Sequence, residues 1–304
     1  AATPCISPSD GRAVSVTPSV QSLQYLRDLV HKRSAIVVEG DKDYLLESRL
    51  GPLAKKSGLA SIDELVARVR ENELGPLASA VIEAMTTNET SFFRDAHPFE
   101  ALRNEIVPKL IAQRASSRTL RIWCAAASTG QEPYSVAMLL REHFPALASW
   151  SVQIVATDLN ATVLARARTG LFKQLEVNRG LPAPLLLKYF DRVGAEWQIK
   201  ADIRSMVSFQ ELNLLDRWPF SSAQDVMFIR NVIIYFDLPT KRTLLGRARQ
   251  QLRQDGYLVL GGAETTLNLD DGYAPVRIGS GVYYQPKPLV VGGAAEGRAA
   301  HAAR

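Results

Sequence analysis

The stretch "TLRIWCAAASTGQEPYSVAMLL" (Thr119 to Leu140) decides the fold. It opens with the apolar run "TLRIWCAAA", which reads as a buried β-strand. It closes with "QEPYSVAMLL", which runs on into "REHF" and reads as a helix. Between the two, Ala125, Ala126, Ala127, Ser128 and Gly130 are all small. Small residues let the backbone approach a ligand closely at the carboxyl end of a sheet, where open α/β sheets bind. The pattern is not G-x-G-x-x-G, so no dinucleotide fingerprint is matched.

Outward from this unit the rhythm repeats. "WSVQIVATDLN" is a second strand, followed by the helix "ATVLARARTG"; "DVMFIRNVIIYF", "TKRTLLGRARQQLRQDG" and "YLVLGGAE" come later. Strands alternating with helices imply a mostly parallel sheet. "YAPVRIGSGVYYQPK" instead alternates around Gly279-Ser280-Gly281 and predicts an antiparallel hairpin at the sheet edge. "KYFDRVGAEWQIKADIRSMVSF" (Lys188 to Phe209) breaks the rhythm with short strands and tight turns, and predicts a small antiparallel insert. This layout is that of many S-adenosylmethionine-dependent methyltransferases. The expected class is therefore α/β: a Rossmann-like methyltransferase domain over 119–288, with a β insert at about 188–209.

Residues 18–90 read as an all-α N-terminal domain. "SLQYLRDLVHKR" puts Leu23, Leu26, Leu29 and Val30 on one face. In "SIDELVARVREN", Ser61 and Glu64 have capping-box spacing. A linker helix is expected within 91–118, and flexible tails at 1–17 and 289–304.

Of the 304 residues, 46% are hydrophobic and 22% charged, which suits a folded globular chain. No apolar run reaches the about 18 residues of a membrane span, and no signal-peptide layout opens the chain. The two cysteines, Cys5 and Cys124, make neither a disulfide framework nor a zinc motif, so no metal is expected. A cytoplasmic location fits best. The net charge of +5 is a mild bias compatible with an acidic partner.

Several residues fall where chemistry is expected. Glu132 suits either a cationic ligand group or the helix N-terminus. Asp158, in "VATDLN", suits either ribose hydroxyls or an N-cap, for which Asn160 also competes. Asn213 and Leu214, in "QELNLLD", suit an adenine edge and face, or simply a turn and the core. Arg230 and Asn231 lie at the carboxyl end of the strand "DVMFI", and Tyr235 follows four residues later. "TTNETSFFRD" (Thr86 to Asp95) mixes small polar residues with two phenylalanines; if helical, it would put Thr90 and Arg94 on one face.

Together, "TTNETSFFRD", "RIWCAAASTGQEPYSVAMLL", "ATDLN", "NLL" and "RNVIIYFD" resemble, in order, the bacterial chemotaxis receptor methyltransferases of the CheR family. The likeness covers roughly Ser19 to Lys287. It implies methyl transfer from S-adenosylmethionine to receptor glutamate carboxylates, leaving S-adenosylhomocysteine. By that resemblance Asn88, Thr90, Arg94, Glu132, Asp158, Asn213, Leu214, Arg230 and Asn231 contact the cofactor or line its pocket. Arg94 and Tyr235 would lie closest to the transfer. Phe92 and Phe93 would anchor a pocket wall in the core between the domains.

The implied partners are the cytoplasmic signalling helices of methyl-accepting chemoreceptors, met by recruitment to receptor arrays. Lys42, Arg49 and Lys56, seven apart, would form a basic stripe for such a helix on one continuous helix. The tight "DRVGAEWQ" turn argues against receptor-tail docking on the insert. A monomer is the default. The alternatives are a methyltransferase acting on nucleic acid and a non-catalytic cofactor-binding regulator; the chain lacks a basic, aromatic-interleaved patch, and it retains Arg94 and Tyr235.

Overall fold

The structure is a computed structural model and describes residues 17–288. The expected tails thus fall, but for Thr17, outside the described residues. The described residues divide into two compact units, 17–87 and 88–288.

The first unit is helical: Val20–Ser34, Asp43–Lys56, Ile62–Glu71 and Pro76–Met85. Its core holds Leu26, Leu46, Leu50 and Leu65, all fully buried. Ser61 caps its helix as the spacing predicts, its Oγ accepting from the Glu64 N–H at 3.1 Å. The Glu64 carboxylate returns one residue further than a standard capping box, to the Ala60 N–H at 2.7 Å.

The second unit opens with a helical run, His97–Ala101 and Val107–Gln113, joined by a π turn at Leu102–Ile106. Pro108, which has no N–H to donate, lies two residues after that wider turn. Ten strands come next: β1 Thr119–Ala125, β2 Ser151–Asp158, β3 Leu171–Lys173, β4 Phe190–Val193 and β5 Glu196–Ile199. They continue with β6 Val207–Glu211, β7 Gln224–Ile229, β8 Leu252–Leu260, β9 Tyr273–Ile278 and β10 Gly281–Pro286.

Seven strands form one sheet in the order β6-β2-β1-β7-β8-β10-β9. The pairs from β6 to β8 are parallel; β10 pairs antiparallel with both β8 and β9, as the hairpin pattern predicts. The chain enters at β1, winds outward to β6, then restarts at β7 on the other side. β1 and β7 therefore flank the switch point, the place where a ligand crevice opens in such sheets.

The insert differs from its expected bounds. Its sheet, β3-β5-β4, starts at Leu171, well before Lys188. Val207–Glu211, its first three residues expected inside the insert, is the edge strand of the large sheet, with Ile154 opposite Val207. A strand so short takes its identity from its partner, and that partner lies far away in sequence.

At the amino ends of the strands, buried Asp225 gathers three elements. It accepts from Arg114 Nε at 2.8 Å and from the Arg121 N–H at 2.8 Å, and Arg253 lies at 3.2 Å. Arg114 also donates to Asp255 at 2.8 Å.

Candidate active site

The predicted residues of the second unit gather at the carboxyl ends of the parallel strands. After β1 the chain turns through Ala126 and Ser128, both with φ near +50°, and Gly130 begins the helix Gln131–His143. Among the described residues, nine besides glycine have positive φ, and six belong to this neighbourhood: Phe93, Asp95, Ala96, Ala126, Ser128 and Asn231. Backbone held in that region is commonly a sign that a site dictates the geometry.

Asp158 ends β2 with its carboxylate fixed by main chain: it accepts from the Ser128 N–H at 2.8 Å and the Asn160 N–H at 2.9 Å. The helix N-cap is Asn160, whose Oδ1 accepts from Val163 N–H. That removes the capping explanation for Asp158. The chain leaving β6 passes directly beside it, with the Leu212 N–H donating to the Asp158 carbonyl at 2.9 Å. Asn213 makes a side-chain turn onto the Leu215 N–H, and Leu214 is buried. Both structural explanations for this pair thus hold, and Asn213 directly follows Leu212, the residue bonded to Asp158.

Arg230 leaves β7 with a side chain only 2% exposed. Its guanidinium donates to Glu132 at 2.7 Å, to Asp95 at 2.7 Å and to the Arg94 carbonyl at 3.0 Å. Burial pushes the Glu132 carboxyl above the usual carboxylate range, and Arg230 opposes that push. The buried Nε of Arg230 has no hydrogen-bond partner.

"TTNETSFFRD" is not helical. It has no regular secondary structure to Ser91 and then turns at Phe92–Asp95, so Thr90 and Arg94 do not share a helix face. Its second correction concerns the phenylalanines, which pack within the second unit. Phe92 is fully buried, with its ring 5.0 Å from Phe172 and 5.8 Å from Phe190 of the insert. Phe93 meets Phe99 at 5.1 Å. Ser128 Oγ donates to the Asn88 carbonyl at 2.8 Å, and the Phe93 N–H donates to Ser135. Gly180 lies so close that a Cβ there would run into the Phe92 carbonyl oxygen. The half-buried Arg94 side chain donates to the Glu89 carbonyl at 3.1 Å, and its charge also acts on Glu132. Thr90 is half-buried in the same irregular segment.

Asn231, in a left-handed conformation, leads into a short turn, Ile233–Tyr235, that carries the half-buried Tyr235. Glu264, beyond the end of β8, accepts from the successive N–H groups of Asn231, Val232, Ile233 and Ile234. Sequence reasoning missed this residue. The available signal was a Glu just after Gly261-Gly262 at the carboxyl end of a central strand.

The basic stripe does not form. Lys42 lies in the turn before the helix Asp43–Lys56 and pairs with Glu39 at 2.6 Å. Arg49 donates to the Met85 and Thr86 carbonyls and to Thr87 Oγ1, so it closes the end of the helix Pro76–Met85. Lys56 alone of the three remains an exposed helix residue without such a role. Among the described residues no cluster suits a metal ion, and no helix is long and apolar enough to cross a membrane.

A singly reversed parallel sheet with an antiparallel end, small residues after its first strand and an acid ending its second define an S-adenosylmethionine-dependent methyltransferase. The chain belongs to the CheR family: the profile described as "CheR methyltransferase, SAM binding domain" matches residues 88–280, and "CheR methyltransferase, all-alpha domain" matches 21–86. It is 42% identical over 269 residues to a chemotaxis protein methyltransferase 1 of Pseudomonas aeruginosa, covering 87% of this chain and 97% of that one. It is 40% identical over 268 residues to the chemotaxis protein methyltransferase Cher2 of Pseudomonas putida, with the same coverage. A chemotaxis protein methyltransferase of Vibrio parahaemolyticus is 36% identical over 277 residues, covering 90% of this chain and 99% of that one.

S-adenosylmethionine is the cofactor of this domain, and the site suits it. The ligand carries an ammonium, a carboxylate and a ribose diol. The site offers two buried acids, Asp158 at the end of β2 and Glu132 in the first turn of the helix after β1, and an unpartnered guanidinium N–H on Arg230 at the end of β7.

Proposed function

We propose that this protein is a protein-glutamate O-methyltransferase acting on the cytoplasmic signalling helices of chemoreceptors. The observation that carries this reading is the make-up of the switch point. Arg94, Arg230 and Tyr235 supply positive charge and hydrogen-bond donors on two short, tightly held backbone segments. A glutamate carboxylate is already ionised near neutral pH, with a pKa of about 4.3, and is its own nucleophile. It needs orientation rather than a strong base.

In this reading the cofactor supplies an activated methyl group on a sulfonium. Asp158 holds the ribose hydroxyls, and Asn213 and Leu214 meet the adenine. Glu132 and Arg230 hold the amino-acid part, with Asn88, Thr90 and Asn231 lining the pocket. The Tyr235 hydroxyl donates to the substrate carboxylate and aims one oxygen at the methyl carbon. Arg94 draws the carboxylate in and stabilises the approach. Its bond to the Glu89 carbonyl holds the guanidinium on the segment between Asn88 and Asp95.

The test is peptide mapping of a cognate chemoreceptor after incubation with the protein and S-adenosylmethionine. A methyl mass increment on glutamate residues of the signalling helix supports the reading. An increment on lysine, arginine or terminal groups alone would refute it.

A further inference from the structure

Glu264 has no part in the cofactor or substrate roles given above, yet its carboxylate bonds only to main-chain N–H groups, four of them in the segment from Asn231 to Tyr235. Oε1 accepts from the N–H groups of Val232 at 2.9 Å, Ile233 at 2.9 Å and Ile234 at 3.3 Å. Oε2 accepts from Asn231 N–H at 2.8 Å and Gly261 N–H at 2.7 Å. Glu264 is buried, so these bonds do not compete with bulk water. Four consecutive N–H groups converging on one carboxylate form an anion nest, and here the anion belongs to the chain itself. The nest is possible because Asn231 takes a left-handed φ of 56°.

Gly261 completes the arrangement. A Cβ there would lie 2.8 Å from Glu264 Oε2 and 2.9 Å from the Asn231 nitrogen. Any side chain at 261 would therefore wedge the carboxylate away from the turn. The turn that Glu264 holds ends at Tyr235, whose N–H closes back on the Val232 carbonyl at 3.2 Å.

We infer that Glu264 is a positioning residue for methyl transfer: it is a strut from the end of β8 that sets the Asn231–Tyr235 turn and so aims the Tyr235 hydroxyl. This rests on the reading of Tyr235 as the group that holds the substrate carboxylate. A glutamine here cannot do the same work. Its amide NH₂ would face N–H donors where an acceptor is required, which releases either the Oε1 set or the Oε2 set. An aspartate keeps the acceptors but is shorter by one methylene.

The experiment is a double-mutant cycle on kcat with a cognate receptor, using wild type, Glu264→Gln, Tyr235→Phe and the double variant. Glu264→Gln is expected to lower kcat tenfold or more, yet to lower it less than twofold further in the Tyr235→Phe background. Glu264→Asp is expected to recover part of the loss. Hydrogen exchange gives a second readout: the amides of residues 231–234 exchange at least tenfold faster in Glu264→Gln, while those of β7 keep their protection. If Glu264→Gln fails to fold, Glu264→Asp takes its place in the cycle. Losses that multiply independently, or an unchanged kcat, overturn the inference while leaving the proposed function intact. A wild type that transfers no methyl to the receptor overturns both.

Discussion

Phe92 and Phe172 meet edge to face with ring centroids 5.0 Å apart, and this contact ties the candidate cofactor wall to the β insert. Phe92 lies between Thr90 and Arg94 in the chain, so its burial sets where both can point. The insert's own core, Phe172 and Phe190, serves as its socket. Tyr134, on the helix that follows the small-residue turn, closes the cluster against Phe172 at 6.1 Å.

Phe92→Ala should therefore act twice. Emptying a fully buried aromatic site destabilises the second unit by about 3–5 kcal/mol, read from urea unfolding. Where the variant remains folded, its affinity for S-adenosylmethionine should fall, because the wall from Asn88 to Arg94 loses its anchor. Full stability with unchanged affinity would show that the contact is dispensable.

Tyr235→Phe removes one hydroxyl and little else. A hydrogen bond to a charged carboxylate is worth roughly 1.5–3 kcal/mol, so kcat should fall about tenfold to a hundredfold. The KM for S-adenosylmethionine should stay within about threefold, since uniform cofactor binding is untouched. Steady-state kinetics with receptor membranes decide this, and an unchanged kcat would remove Tyr235 from the reaction.

Asp158→Asn keeps the side-chain shape but sets an NH₂ against the Ser128 or Asn160 N–H. Displacement of that side chain should weaken cofactor binding by about tenfold or more, measured by titration calorimetry. Equal affinity in the variant would place the ribose elsewhere.

Asp255 offers a pH test away from the site. The Arg114 guanidinium holds its carboxyl below the usual range, against the upward push of burial. A carboxyl with a lower pKa folded than unfolded stabilises fully above the unfolded value, about 3.9, and that gain is lost as pH falls through the lowered value. Asp255→Asn should therefore be less stable than wild type near pH 7 by about 1 kcal/mol, allowing for partial exposure and screening. The two proteins should converge as pH falls through that lowered value. A gap of constant size across that range would contradict the assignment.

The outline of this molecule was legible wherever structure is local. The apolar run before Ala125–Ser128 and the helix after it identified β1 and the ligand-bearing end of the sheet. The turn residues at Gly279–Gly281 identified the closing hairpin. What depends on distant partners was not legible. Val207–Glu211 is a strand of the main sheet only because β2 lies alongside it. Arg49 looked like part of a surface stripe because nothing near it in sequence reveals the helix end it closes. The bend of "TTNETSFFRD" depends on positive φ at Phe93, Asp95 and Ala96, which those residue types do not announce. Glu264 acts on a turn some thirty residues away, through the adjacency of β7 and β8.

The most direct measurement is the fate of the transferred methyl group. Wild-type protein, methyl-labelled S-adenosylmethionine and a cognate receptor are incubated, and the labelled receptor is then exposed to mild alkali. A carboxylate methyl ester releases its label as volatile methanol, and that is the predicted result. Label that stays on the receptor after alkali, or that enters nucleic acid instead, would contradict glutamate O-methylation.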